Sequence, residues 1–202
     1  MLCFLFVAAL VIFALGVYFG LIFPSKVTKT TLPAAHYYYK EGQGSLKDVK
    51  TFIYKVLFEV RTLNINPKNL TTAGIYPDNH TLLKNPNEVR FSFGVVIQDK
   101  EFEKLSKRFS DSDFKYKRLP SVCAFRKDVV VRGQISYWLA YFYYKDLMKA
   151  VFMSDAQVKK TASINYHARI EGKDVWSIVF PVGENSEKFR FSSLPEPKLK
   201  FE

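Results

Sequence analysis

The residues able to do chemistry are few and scattered. His36, His80 and His167 stand far apart, and no Cys or acid lies at ligand spacing to any of them, so no zinc pattern is present. Cys3 and Cys123 are the two cysteines, Cys3 within an apolar run, so no disulfide framework can form in the remainder of the chain. The sequence holds no G-x-S-x-G, no phosphate-binding loop and no H-E-x-x-H. Gly42-x-Gly44 lacks a third glycine and opens no βαβ unit, so it reads as a turn and not a dinucleotide site. No metal, cofactor or catalytic residue is assigned, and the chain reads as a non-enzyme. Two glycosylation sequons begin at Asn69 and Asn79. Gly16 and Gly20 form a G-x-x-x-G pair, whose small residues would let two helices approach closely in lipid as a homodimer face.

The elements that must carry these residues follow from periodicity. Residues 34–40 (AAHYYYK) read as a strand. Ser45, with Asp48 three positions on, predicts a capped helix start. Val49, Phe52, Ile53, Val56, Leu57, Val60 and Leu63 then recur at helical spacing. Residues 73–76 and 88–98 read as strands, the latter alternating through Val89, Phe91, Phe93 and Val95. A short helix over 101–109 leads into extended segments at 114–119 and 122–126. A second long helix spans 132–151, with Ile135, Trp138, Leu139, Phe142, Leu147 and Val151 on one face. A hairpin at 166–170 and 175–182 closes the pattern, so the order β-α-β-β occurs twice.

Residues 1–23 carry no charged side chain. At about 1.5 Å per residue such a run reaches across a hydrocarbon core of about 30 Å. It lacks the charged start and small-residue cleavage site of a secretory signal, so it reads as a retained single-span anchor. Lys26, Lys29 and Lys40 follow it, which places the remainder in the cytosol. The expected division is an anchor at 1–23, a linker at 24–33, a folded domain at 34–182 and a short polar tail at 183–202.

The net charge of +11 falls outside the anchor, a balance that attracts an anionic leaflet. The basic residues never form a block, which argues against a nucleic-acid site. Hydrophobic content of 48%, with 19 Phe and 12 Tyr, is ample for a core.

Residues 73–79 (AGIYPDN), Pro86, Gly94, residues 136–140 (SYWLA) and Phe180-Pro181-Val182 resemble the testis-expressed protein 264-like family. That resemblance implies an α+β chain, a GyrI-like (SOUL-like) domain of two β-α-β-β halves around a cleft, after one N-terminal transmembrane helix. It implies an endoplasmic-reticulum membrane protein with its domain in the cytosol. It implies an ER-phagy (reticulophagy) receptor that binds a lipidated ubiquitin-like autophagy protein by strand addition. This chain lacks the long acidic tail that carries the family's aromatic-x-x-aliphatic motif. Its best internal match is Phe102 to Leu105, where Phe102, Leu105 and Phe109 share a helix face.

The same resemblance implies a cleft for a small apolar ligand. Tyr37, Tyr39, Tyr76, Trp138 and Tyr166 are the aromatics that could line it. Registering on Phe180-Pro181-Val182 puts Arg169 where a relative has a glutamate, with Glu171 two residues on. An Arg169 facing the cleft would favour an anionic ligand. The expected function is an ER-anchored adaptor resembling a reticulophagy receptor. The alternative is a membrane-tethered small-ligand binder, with or without hydrolytic activity.

Overall fold

The computed structural model describes residues 2–18, 25–78, 83–154 and 162–198. Its centre is one eight-stranded antiparallel sheet: β1 Thr28–Leu32, β2 Ala35–Gly44, β3 Thr71–Tyr76, β4 Val89–Ile97, β5 Lys115–Leu119, β6 Val122–Val130, β7 Ser163–Ile170 and β8 Lys173–Val182. In space the order is β1-β6-β8-β7-β3-β4-β2-β5. The helices are α1 Leu2–Tyr18, α2 Leu46–Thr62, α3 Asp99–Phe109 and α4 Gln134–Ser154.

Local chemistry explains the elements. The Ser45 backbone N–H and Oγ both donate to the Asp48 carboxylate, at 2.8 and 2.7 Å, which fixes the start of α2. Helical spacing then turns Val49, Val56 and Val60 onto β2 and β4. Each such burial contributes roughly 1.5–3 kcal/mol. α4 lies on β6 and β8 through Ala140, Tyr143, Leu147 and Val151. β7 and β8 meet at Glu171-Gly172, both with positive φ (48° and 77°), the twist a two-residue hairpin turn requires. Gly94 permits the close approach of β4 to β2: a Cβ there would stand 1.9 Å from the Tyr38 carbonyl oxygen.

Strand alternation gives the sheet two different faces. Tyr38, Val95, Ile97, Phe91, Ile178 and Phe180 point to the side that carries α2, α3 and α4, the helix face. Tyr37, Tyr39, Ala73, Ile75, Val96, Ile164 and Val179 point to the other, the open face. Among the described residues no α-helix covers the open face. The C-terminal segment does, through a single-turn 3-10 helix, Ser186–Phe189, and the residues after it.

Several expectations need correction. Among the described residues no helix is long and apolar enough to cross a membrane. α1 has 17 residues, about 25 Å of rise against a hydrocarbon core of about 30 Å. α4 is longer, but Lys145, Asp146 and Lys149 interrupt it. The expected fold of a domain behind one transmembrane helix therefore fails at its first element. The endoplasmic-reticulum membrane placement rested on that span and falls with it. Of the dimer pair, Gly16 sits on α1, and Gly20 lies outside the described residues. The linker at 24–33 contains β1, and Gly42 and Gly44 are not a turn but the end of β2, paired with Phe91 and Val89. The polar tail is a packed segment, with Phe189 only 1% exposed.

Candidate functional site

The two central strands, β3 and β7, pair with each other. α2 stacks on β2 and β4, and α4 on β6 and β8, so the β3–β7 strip lies between the helices. Its helix-face residues are Thr72, Gly74 and Tyr76 from β3, and Ser163, Asn165 and His167 from β7. Gly74 is opposite Asn165, and Tyr76 opposite Ser163. A Cβ on Gly74 would meet Phe93 and Tyr76 at 3.7 Å and the Ser92 carbonyl at 3.9 Å, ordinary contact distances. The glycine thus leaves a recess in the floor that a methyl group would fill at ordinary contact distance.

Polar groups converge on that recess. Burial pushes the Tyr76 phenol up to about 12, partly offset by its hydrogen bond with Asn165. Tyr144 reaches in from α4, its ring 5.4 Å from that of Phe180. Burial raises its phenol as well. Both phenols stay protonated near neutrality. The floor therefore offers hydroxyls, an amide and aromatic faces, and none of its six strand residues is a carboxylate.

The open face holds the other aromatic set. Tyr37 is fully buried, and its hydroxyl donates to the Ala73 carbonyl oxygen at 3.0 Å, with Ser92 Oγ at 3.3 Å. Its ring stacks on Tyr39 at 4.9 Å. Tyr166 packs beside them, its phenol pushed up to about 12 by burial and drawn back by the Arg126 charge. Over this cluster runs the C-terminal strap. Phe191 meets Tyr39 edge-on at 5.2 Å, with Lys117 Nζ 4.2 Å above its ring. The Ser193 backbone N–H donates to Glu41 at 3.0 Å, and Lys115 pairs with the same carboxylate. Arg90 Nη1 donates to the Leu194 carbonyl oxygen at 3.0 Å.

The sequence-derived cleft set is thus divided. Tyr37, Tyr39 and Tyr166 lie together under the strap. Tyr76 lies on the opposite face. Trp138 falls on α4, its side chain outside the described residues. Arg169 is exposed near the turn, its Nε donating to the Gly172 carbonyl oxygen at 3.3 Å. It borders a shallow depression of about 420 Å³ that Lys68, Asn69 and Gly172 also line. Glu171 belongs to the hairpin turn and not to a strand face. Phe102 and Leu105 pack with Tyr38, Val60 and Phe109. His167 is exposed, and His80 and Asn79 lie outside the described residues.

Two features escaped sequence reasoning. Gly74 and Asn165 face each other only through pairing of strands nearly half the chain apart. The one available signal was a glycine inside a predicted strand, which marks close approach of another group. Arg90 and Asp78 form a buried bidentate ion pair, both contacts 2.7 Å. Asp78 belongs to the resemblance motif at 73–79, yet its role here is structural.

No protein-family model matches the chain, and no curated relative does. The resemblance read from residues 73–79, Pro86, Gly94, residues 136–140 and Phe180-Pro181-Val182 finds no match in either comparison. Solved structures do match. SAV2435 bound to tetraphenylphosphonium aligns with TM-score 0.51 and 10% identity, over 78% of this chain and 94% of that one. The EcmrR C-terminal domain aligns with TM-score 0.52 and 11% identity, over 79% and 98%. At such identity the likeness shows the fold alone, and the fold is GyrI-like. A hydrolase from Listeria innocua aligns with TM-score 0.45 and 11% identity, over 81% and 95%, too weakly to carry an argument.

Proposed function

We propose that the chain is a binder of small aromatic molecules, and that the site is the β3–β7 strip between α2 and α4. Gly74 carries the reading. It is the floor residue without a side chain, at the centre of the strip, with Tyr76, Asn165 and Tyr144 around it. Glycine weakens a strand interior, and a common reason to keep one there is close approach of a ligand. Aromatic walls with a few fixed polar groups are the usual make-up of a small-molecule site.

The match to SAV2435 supports the ligand class, because tetraphenylphosphonium is a bulky aromatic cation. In this chain none of the six strand residues of the floor is a carboxylate. Its floor has phenols, an amide and hydroxyls, so a neutral aromatic ligand fits as well as a cationic one. The receptor reading has no support beyond the resemblance, because Phe102 and Leu105 are packed within the fold.

Calorimetric titration of the full chain with tetraphenylphosphonium and with neutral triphenylphosphine oxide tests the proposal. Both are expected to bind. Gly74→Leu should abolish binding of both while leaving the circular dichroism unchanged, because the added side chain fills the recess. Absence of binding by either probe, or unchanged binding by folded Gly74→Leu, would overturn it.

A further inference from the structure

We propose that Asp99, His36 and Tyr116 form a second, surface reactive site in which Tyr116 is the nucleophile for acyl transfer from small activated esters. The site is independent of the groove. His36 on β2 and Arg118 on β5 are cross-strand partners, as are Tyr38 and Tyr116. Alternation turns all four to the helix face, against α3. His36 is 5% exposed and stacks on Phe102, with ring centroids 3.6 Å apart and planes 19° apart. The packing fixes the imidazole plane.

Both ring nitrogens are engaged. Nε2 lies 2.8 Å from Asp99 Oδ1, and Nδ1 lies 2.9 Å from the Tyr116 hydroxyl. A carboxylate beside Nε2 selects the tautomer with the proton there, because a bare nitrogen lone pair would face the carboxylate lone pairs. Nδ1 is then the acceptor for the phenolic proton. Arg118 Nη1 stands 2.9 Å from Nε2, but a guanidinium cannot accept. In this tautomer its hydrogen bond is the one from Nη2 to Asp99 Oδ2, at 3.2 Å. Desolvation raises the Asp99 carboxyl, but hydrogen bonds from His36 and Arg118 outweigh it and hold the group below the usual carboxylate range. The order is nucleophile, base, orienting acid. Tyr116 is 48% exposed, so a small ester can reach its oxygen.

The step balances without a further reactant. Tyr116 Oη attacks the ester carbonyl carbon, the carbonyl π pair moves to oxygen, and the phenolic proton passes to His36 Nδ1. Collapse restores the carbonyl and breaks the bond to the leaving alkoxide or phenoxide. That group departs with the proton from the imidazolium, leaving an acyl-Tyr116 ester. Asp99 is a positioning residue: it holds the ring and stabilises the imidazolium.

The test uses the full chain with p-nitrophenyl acetate and peptide-mass mapping at early times. Tyr54 on α2 is the internal reference, 62% exposed and with no imidazole beside it among the described residues. Tyr116 should be acetylated about tenfold or more faster than Tyr54, well within the roughly 10²–10⁴-fold that a placed general base contributes. His36→Gln and Asp99→Asn should bring that ratio near one, and Asp99→Glu should keep most of it. Circular dichroism of each variant reports whether the fold is intact. His36→Gln removes a buried group and is the variant at greater risk of unfolding, whereas Asp99 is exposed and keeps the test decisive. A ratio near one in the unmodified chain, or a ratio that survives Asp99→Asn, would overturn the proposal.

Discussion

Arg90→Met and Asp78→Leu, singly and together, measure what the buried ion pair contributes. Two parallel hydrogen bonds of 2.7 Å join the pair, and the side chains are 3% and 8% exposed. Arg90→Met leaves the Asp78 carboxylate buried without its counter-charge. That costs about 3–5 kcal/mol. Losing the donor to the Leu194 carbonyl adds about 1 kcal/mol. Asp78→Leu leaves the guanidinium with the Leu194 carbonyl and with Glu196, which is exposed and 3.9 Å away. Its cost is again about 3–5 kcal/mol. Additive effects would make the double variant about 7–11 kcal/mol worse than the starting chain. The physical expectation is the reverse, because removing both charges removes the desolvation penalty that dominates each single loss. The double variant should be more stable than either single one. At about 2–4 °C per kcal/mol for a domain near this size, Asp78→Leu should melt about 6–20 °C lower and Arg90→Met about 8–24 °C lower. Urea unfolding followed by circular dichroism gives the free energies. A double variant as unstable as the sum of the singles would refute the reasoning.

Other outcomes follow from the same geometry. Gly94→Ala would set a Cβ 1.9 Å from the Tyr38 carbonyl oxygen and 2.7 Å from the Tyr39 Cα, both backbone, and should cost more than the roughly 1–3 kcal/mol of ordinary overpacking, read by urea unfolding. Phe189→Ala should cost about 3–5 kcal/mol and expose residues 185–198 to limited proteolysis; equal cleavage before and after would show the strap is held elsewhere. Burial raises the Glu41 carboxyl, but hydrogen bonds from Lys115 and Ser193 and the Lys115 charge outweigh it, so it sits below its ordinary 4.5. That stabilisation is present above the unfolded value and is lost as pH falls through the folded one. The melting temperature should therefore drop more steeply below about pH 4 in the unmodified chain than in Glu41→Gln, and parallel curves would exclude the link.

What could be read from the sequence was what local pattern determines. The start of α2 was legible because Ser45 and Asp48 act three residues apart, and β4 because its alternation is uninterrupted. β1 was hidden: the sequence TKTTL is polar, and only pairing with β6 makes it a strand. The strap was hidden because Phe189 and Phe191 sit among charged neighbours, and composition averages over the two residues that matter. Glycines misled in both directions. Gly42 and Gly44 suggested a turn, yet a Cβ on Gly42 would strike Phe91, and the chain stays extended. Gly74 attracted no notice because its importance depends on Asn165, far away in the chain. The cleft tyrosines were picked by type, but strand alternation sends Tyr76 to the face opposite Tyr37, Tyr39 and Tyr166, and no single cleft gathers them. The N-terminal run was read by hydropathy alone, and its described helix covers Leu2–Tyr18.

The strand order carries a consequence for how the molecule assembles. β1 precedes the first β-α-β-β unit but is paired with β6 of the second, and β5 precedes the second but is paired with β2 of the first. Each unit is finished by its neighbour's leading strand, like two hands clasped with one finger exchanged. Neither can be excised intact, because cutting it out leaves a bare edge on β2 or on β6. The chain should unfold in a single transition despite its internal repetition. Folding must also wait for contacts such as Thr28 with Arg126, distant in sequence, which slows the search. A backbone break placed within 110–114, between α3 and β5, would give two fragments that are each incomplete and complementary. Mixed together, they should rebuild the sheet that neither forms alone.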